Sequence, residues 1–373
     1  MTPPLKALCI LALLWAALLG SFGCRKRAGD APPLPYLAFV ANRKSAAVAA
    51  VDLAQFKVVA ELPVAPAPEQ VAIRPRGHEV YVVSASGTLS VIAFPELRLT
   101  RTLRIGGSAH DLVFSSDGRQ AYVLAPGAGE IVIVDCDPLH EAARLRLGPK
   151  LSDLALSPDG KTLVAADSAS EKLFFVNTGA RKVLGSLDVG ARPGPMVILP
   201  DSSKVFFADT GEAKLTVVDL ATRALLSNIE TGTVPSKLVL KPDGGEIFVL
   251  SAQGATLTIV DAFHNNVEQS SLTTGPGPSA AVLRADASVL YIATAGDGNI
   301  LTLDAPERQV LASTHVGISP GALALTPDER FLIVADPGSS SLSILRTDRN
   351  TLVTTIPVGD DPVQVVVPDW LRK

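Results

Sequence analysis

The chain has 373 residues, of which 47% are hydrophobic and only 5% aromatic, so aliphatic side chains supply most of its apolar content. The formal net charge is −4, whereas nucleic-acid-binding proteins usually carry a basic patch or stripe. This balance argues against nucleic acid as a partner. The length suits either several domains or one repeat protein, so internal repeats decide the organisation.

The first 23 residues have the pattern of an export signal. Lys6 precedes an apolar run over residues 7–19, which is short for a membrane span of about 20 residues. The small residue Gly23 then precedes Cys24. This ending resembles a bacterial lipoprotein signal, which implies removal of residues 1–23 and a lipid on Cys24.

Two features keep an uncleaved N-terminal helix as the alternative anchor. Ser21 and Phe22 depart from the lipoprotein pattern, and the basic cluster at residues 25–27 disfavours clean export. Residues 28–35 are rich in Pro, Ala and Gly, and residues 24–35 are expected to form a lipidated tether. We therefore expect a protein of the periplasm or outer membrane, held to the membrane by its N-terminus.

Removal of the signal would leave Cys136 as the single thiol of the folded body besides the lipidated Cys24. No intrachain disulfide is then expected there. No His or Arg adjoins Cys136 in sequence to lower its pKa, so we interpret it as a structural thiol rather than a nucleophile.

A repeat of about 42 residues occupies the rest of the chain. Each copy begins with an apolar strand, followed by a polar loop and an alternating strand such as residues 215–219. A third strand runs into a pair such as Val189-Gly190, and a fourth ends in a turn such as Pro158-Asp159-Gly160, which reverses the chain. The eight starting strands lie at residues 39–42, 81–84, 122–125, 164–167, 206–209, 248–251, 291–294 and 333–336.

Four strands per repeat are typical of a propeller blade, so the sequence predicts an all-β fold of four-stranded antiparallel blades over residues 36–370. Eight blades are predicted, with seven as the alternative. The combination of strand and turn motifs resembles the YVTN family of bacterial β-propeller repeats, from residue 37 to residue 368. The resemblance implies that the strands before each Pro-Asp-Gly turn surround the central channel.

The phase of the repeat predicts how the ring closes. The first strand, at residues 39–42, has no hairpin partner upstream, and the last, at residues 362–368, has none downstream. We therefore expect the C-terminal strand to complete the blade formed by residues 37–62, which ties the termini together and removes an open edge.

The candidate ligand site is the mouth of the channel, where the inner strands begin. The residue before the core of each inner strand is polar in five of eight repeats, and His110 adjoins one of them. The alternative is a solvated rim that binds nothing. The candidate residues are Gln70, His110, Asp111, Asp153, Lys237 and Gln364.

No metal site, cofactor site or catalytic residue is predicted. The five histidines are scattered without metal-ligand spacing. Aspartates recur at two repeat positions, where they could hold calcium or close turns by binding their own backbone; recurrence in each copy favours turns. They are Asp167, Asp209 and Asp336 after the first strand, and Asp52, Asp135, Asp219, Asp261 and Asp304 after the second.

Two functions remain open at this point. The first is a non-enzymatic, monomeric scaffold in the cell envelope, which binds a protein or a polysaccharide. The second is an enzyme or redox subunit with its site at the channel mouth, since propellers of similar pattern include lactonases and oxidoreductase subunits. Fold alone does not decide between them.

Overall fold

The computed structural model describes residues 36–190 and 192–369. They form eight four-stranded antiparallel sheets, and the innermost strand of each sheet contacts the innermost strand of the next around a closed ring. The prediction of an all-β propeller with eight blades is therefore confirmed. Besides the strands, a 3-10 turn lies at Pro337–Ser339.

The strands are numbered in chain order, and the strands of each blade are named from the channel outward. Blade 1 contains β32 (Pro362–Val366), β1 (Leu37–Asn42), β2 (Ala47–Asp52) and β3 (Lys57–Pro63); blade 2 contains β4 (Pro68–Ile73), β5 (Glu79–Ser84), β6 (Thr88–Ala93) and β7 (Arg98–Arg104); blade 3 contains β8 (Asp111–Phe114), β9 (Gln120–Ala125), β10 (Glu130–Cys136) and β11 (Leu139–Arg146). Blade 4 contains β12 (Leu151–Leu156), β13 (Thr162–Asp167), β14 (Lys172–Asn177) and β15 (Lys182–Asp188); blade 5 contains β16 (Pro193–Ile198), β17 (Lys204–Asp209), β18 (Lys214–Asp219) and β19 (Ala224–Glu230). Blade 6 contains β20 (Lys237–Leu240), β21 (Glu246–Ser251), β22 (Thr256–Asp261) and β23 (Asn266–Thr273); blade 7 contains β24 (Pro278–Leu283), β25 (Val289–Thr294), β26 (Asn299–Asp304) and β27 (Gln309–His315); blade 8 contains β28 (Ala322–Leu325), β29 (Phe331–Asp336), β30 (Ser341–Arg346) and β31 (Thr351–Pro357).

The core lies between neighbouring blades, not at the centre of the ring. In β5 the adjacent residues Val82 and Val83 point to opposite faces of the sheet, yet both are fully buried. Each blade is covered on both faces by its neighbours, so the middle strands read as continuous apolar runs. Val83 packs in a cluster with Val123 and Val132 of the next blade.

The outermost strand of every blade carries a β-bulge at its third or fourth residue. In blade 5, Val217 pairs with Ser227 and Val218 with Leu225, which leaves Leu226 without a partner in the ladder. A bulge twists the strand away from flat pairing, so the eight exposed edges are poor templates for further strands. The unpaired residues are Val59, Thr100, Ala142, Leu184, Leu226, Glu268, Leu311 and Val353.

The Pro-Asp-Gly turns form as the sequence predicts. In blade 4 the N–H of Gly160 donates to the carbonyl of Ser157 at 2.8 Å, and Oδ1 of Asp159 accepts from the N–H of Lys161 at 3.0 Å. Gly160 has φ of +73°, a conformation that favours glycine. These turns all lie at the end of the channel opposite the mouth, because the inner strands begin at the mouth.

The ring closes through the strand pair that the repeat phase predicts. β32 pairs antiparallel with β1, in a register that places Val40 opposite Val365 and Ala41 opposite Gln364. Val365 is buried, and it packs in a cluster with residues of blades 1 and 8. The C-terminal strand is therefore the innermost strand of a blade whose other strands come from the other end of the chain.

Cys136 lies at the end of β10 and is fully buried. Burial raises the pKa of its thiol, with Tyr81 and two nearby arginines opposing the shift. A buried thiol with a raised pKa agrees with the structural role inferred from the sequence, because nucleophilic cysteines need an accessible thiolate.

Deleting residues 362–373 should destabilise the ring strongly. The deletion removes buried side chains such as Val365 and one ladder of hydrogen bonds, a loss on the order of 5 kcal/mol. In a chain of this size, with an unfolding entropy of about 2.1 cal/mol/K per residue, that corresponds to a fall of roughly 7 °C in Tm, measured by circular dichroism. A chain that ends at Asp369 keeps β32 and the buried Pro368, and should melt like the wild type. Equal melting of both truncations would contradict the importance of the closure.

Candidate functional site

The channel mouth contains a cavity of about 390 Å³. The inner strands all begin at this end, so residues from distant repeats meet there. Five of the six residues predicted from sequence line the cavity, namely Gln70, His110, Asp111, Lys237 and Gln364. The sixth, Asp153, is half-buried beside them and interacts electrostatically with Asp111 and Lys237.

Two of these side chains also join neighbouring blades. Oε1 of Gln364 accepts a hydrogen bond from the N–H of Val71 at 2.6 Å, which links blade 1 to blade 2. Oδ2 of Asp153 accepts from the N–H of Met196 at 2.7 Å, which links blade 4 to blade 5. These bonds fix the positions of both side chains, so part of the polar ring has a structural role.

Gln70 and Asp111 form the centre of the polar arc. The side-chain amide of Gln70 donates to the Asp111 carboxyl, whose Oδ1 also accepts from the N–H of Leu112 at 2.7 Å. Oε1 of Gln70 is buried and has no hydrogen-bond partner among the described residues. A buried acceptor without a partner costs about 1–3 kcal/mol, so the packing of the mouth holds this amide at a cost.

The carboxyl groups of the mouth have raised pKa values. Burial raises the pKa of Asp153 to about 7, with a further contribution from the like charge of Asp111; the N–H groups of Met196 and Leu154 and the cation of Lys237 oppose the shift. Burial also raises the pKa of Asp111, against its hydrogen bonds with Leu112 and Gln70 and the charge of Lys237. Below about pH 7 Asp153 therefore holds a proton, which lowers the repulsion between the two carboxyl groups.

The mouth is asymmetric because two repeats contribute only small residues. Ala280 and Ala322 occupy the positions that Gln70 and Asp111 hold elsewhere, and Gly321 lies beside them. Lys237 is exposed and interacts with Asp111 and Asp153 through charge alone. The small residues leave space on one side of the channel, while polar groups cover the other.

Sequence reasoning missed Glu69 as a lining residue of the cavity. Its carboxylate accepts from Nη2 of Arg43 at 2.8 Å, which joins the loop of blade 1 to the start of β4. The sequence signal is the carboxylate beside Gln70, at a position where none of the other repeats has an acidic residue.

The recurrent aspartates mostly close turns. Oδ1 of Asp52 accepts from the N–H groups of Ala54 and Gln55, and Oδ1 of Asp167 accepts from those of Ala169 and Ser170. Asp209, Asp219, Asp261 and Asp304 bind their own turns in the same way, whereas Asp135 does not. Asp336 is buried and accepts from Ser343, and burial raises its pKa to about 6.

Within residues 36–190 and 192–369, no group of three or more His, Cys, Asp and Glu side chains could hold a metal ion. The same part of the chain has no helix long and apolar enough to cross a membrane. Cys24, the predicted signal and the predicted tether lie outside the described residues.

Three solved structures are similar to this chain. Dihydro-heme d1 dehydrogenase NirN, in complex with DHE, superposes with a TM-score of 0.77 at 16% identity, over 90% of this chain and 76% of that one. A functionally unknown protein from Desulfotomaculum acetoxidans gives 0.64 at 15% identity, over 78% and 99% of the two chains. Hydrazine synthase of Kuenenia stuttgartiensis gives 0.59 at 20% identity, over 86% and 98%. At these identities the likeness shows the propeller fold alone.

Sequence comparison adds little to this. No protein-family model matches the chain. The uncharacterized protein YwhL of Bacillus subtilis is 31% identical over 71 residues, which are 18% of this chain and 15% of that protein. The match thus covers a small part of either protein and shows no family.

The raised pKa of Asp153 predicts a pH-dependent stability. A carboxyl whose pKa is higher in the folded than in the unfolded state stabilises the fold while protonated, and this contribution is lost as pH rises from about 4 through about 7. The amide of Asp153→Asn does not ionise and can still accept from Met196. The Tm of wild type relative to this variant should therefore fall across that range. The same substitution at the exposed Asp188 should leave the wild-type profile unchanged, and parallel profiles for wild type and Asp153→Asn would contradict the assignment.

Proposed function

We propose that the chain is an exported, membrane-tethered propeller with YVTN-type repeats that acts as a non-enzymatic binding protein in the cell envelope. Its ligand site is the channel mouth, and its ligand is a small polar molecule. The observation that carries the proposal is the cavity that distant repeats build together, with Gln70, Asp111 and Lys237 in its wall.

The polar groups of the mouth define what the ligand must carry. A hydrogen-bond donor on the ligand faces the carboxyl of Asp111, and an acceptor or anionic group faces the ammonium of Lys237. Ala280 and Ala322 supply space for the body of the ligand. Such a site, with a few convergent polar groups and perturbed pKa values, has the properties of a ligand pocket.

A binding role fits the cavity better than catalysis by a hydroxyl or thiol nucleophile. The described residues that line it include no Ser, Thr or Cys, so the hydroxyl and thiol nucleophiles of covalent catalysis are not among them. The tether and the envelope location follow from the sequence of residues 1–35 and remain part of the proposal.

Ligand capture tests this function. Full-length protein, purified in detergent, is incubated with a small-molecule extract of its host cells, washed and analysed by mass spectrometry. A compound captured by the wild type should be lost on Lys237→Met and on Asp111→Asn, because both remove groups that face the cavity. Lys241→Met is the matched control, since Lys241 lies at the other end of the same blade and pairs with Asp243. Capture of no compound, or an identical set by all variants, would contradict the proposal.

The second candidate function is a redox or enzymatic propeller. It is favoured by the likeness to NirN, whose structure is a complex with DHE, and by the position of His110 at the cavity. Histidine is a common axial ligand of haem iron. For a lactonase, Asp111, Asp153 and Lys237 would be the groups to act on substrate.

Colour separates the redox candidate from the binding candidate. If the channel holds a haem-like chromophore, protein purified from its native host should absorb visible light, and His110→Ala should shift or abolish the band. Colourless wild-type protein from that host would contradict this candidate. Single substitutions of Asp111, Asp153 and Lys237 test the lactonase. Turnover that survives each of the three substitutions would contradict it.

A further inference from the structure

A second polar cavity opens at the end of the channel opposite the mouth, between blades 3 and 4. Its volume is about 870 Å³, which lies within the roughly 300–1,000 Å³ of small-molecule sites. The Pro-Asp-Gly-type turns of both blades and the turns that lead to their outermost strands form its walls. Its lining includes Ser116, Arg119, Gln120, Asp135, Asp137 and Arg181.

The cavity lies where blade 3 departs from the turn that blades 1, 5, 6 and 7 share. In blades 1, 5, 6 and 7 the aspartate that ends the third strand accepts from the backbone N–H three residues later, as Asp219 does from Thr222 at 2.7 Å. In blade 3 the residue three places after Asp135 is Pro138, which has no N–H to donate. The pairing of β10 with β11 instead continues to Cys136 and Leu139. The carboxylate of Asp135 therefore accepts no hydrogen bond from the backbone of its own turn.

The released carboxylate organises the floor of the cavity. Oδ1 of Asp135 accepts from Nε2 of Gln120 at 3.0 Å and from Nη2 of Arg181, which belongs to blade 4, at 2.8 Å. Oε1 of Gln120 accepts in turn from the hydroxyl of the buried Tyr122 at 2.9 Å. This network crosses the blade interface and holds Asp135 and Arg181 in fixed positions.

The floor therefore presents paired charge. The guanidinium of Arg181 neutralises Asp135, so neither an anion nor a cation finds an uncompensated partner there. The rim adds Arg119, whose side chain is 84% exposed, together with the hydroxyl of Ser116 and the carboxylate of Asp137. Hydrogen-bond donors and acceptors therefore both occur in the lining.

We propose that this cavity binds an uncharged, hydroxyl-rich ligand, namely a short stretch of saccharide. A hydroxyl both donates and accepts, so several hydroxyls on one ligand can bind arginine and carboxylate groups of the same lining. An apolar ligand would leave these polar groups without hydrogen-bond partners. Tyr122 is the single Phe, Tyr or Trp side chain among the described residues that line the cavity. It is buried, so its ring does not stack on the sugar. Affinity should therefore be weak, on the order of 1 mM.

A cavity-filling variant at Gly179 tests the location. Gly179 lines the cavity, and a Cβ added there would meet only Oδ1 of Asn177, at 3.6 Å, so Gly179→Leu adds volume without a backbone clash. Ala221→Leu places the same side chain in the equivalent turn of blade 5 and serves as the control. Pro138→Ala is the second variant. It restores the backbone N–H that donates to the turn aspartate in blades 1, 5, 6 and 7, so that Asp135 can accept from its own turn.

The measurement is saturation-transfer NMR on the full-length protein in detergent with maltotriose, cellotriose and chitotriose. Spermidine and citrate are the charged probes. We expect transfer to at least one trisaccharide, unchanged in Ala221→Leu and reduced at least tenfold in Gly179→Leu and Pro138→Ala, with melting temperatures near that of the wild type. No transfer to any of the three sugars, transfer that persists in both variants, or binding of a charged probe alone would overturn the proposal. The channel-mouth variant Lys237→Met should bind the sugar normally, which separates this site from the proposed ligand site.

Discussion

The structure depends on the antiparallel pairing of β32 with β1. Each blade buries apolar residues on both of its faces, so every blade needs two neighbours, and only a closed ring supplies them to all eight. The pair of Val40 with Val365 closes the ring across the whole length of the chain. Without this pair, two blades would each expose one apolar face of their middle strands to water. Exposure of so much apolar surface is strongly unfavourable.

The same closure creates the channel mouth. Gln364 meets Val71 only because the last strand lies beside blade 2, and Asp111 meets the charge of Lys237 only because the ring brings distant repeats together. These groups are desolvated by their positions, and the pKa of Asp153 rises to about 7 as a result. The fold accepts a destabilising carboxyl at its centre and fixes it with the N–H of Met196. A costly polar group that the surrounding structure holds in place is typical of a functional position.

The repeat made most of the fold predictable, because each copy contains the same turn chemistry. The phase of the first and last strands was sufficient to predict the closure, and the position before each inner strand was sufficient to locate the mouth. The hydrogen bonds of Gln364 and Asp153 to neighbouring blades were not predictable, since they depend on the angle between blades. The unpartnered Oε1 of Gln70 was not predictable either, because strand periodicity does not determine the orientation of a side-chain amide.

In a repeat protein, departures from the consensus carry more functional information than the consensus itself. Asp52, Asp219 and Asp261 look like candidate ligands in the sequence, and each is fully used by its own turn. Asp135 looks the same, yet Pro138 three residues later removes the donor that would hold it. One missing N–H frees a carboxylate, which then recruits Gln120 and Arg181 to a cavity between two blades. Ala280 has a comparable effect at the mouth. Five of the eight repeats have a polar side chain at this position, and the small alanine leaves space in the cavity for a ligand.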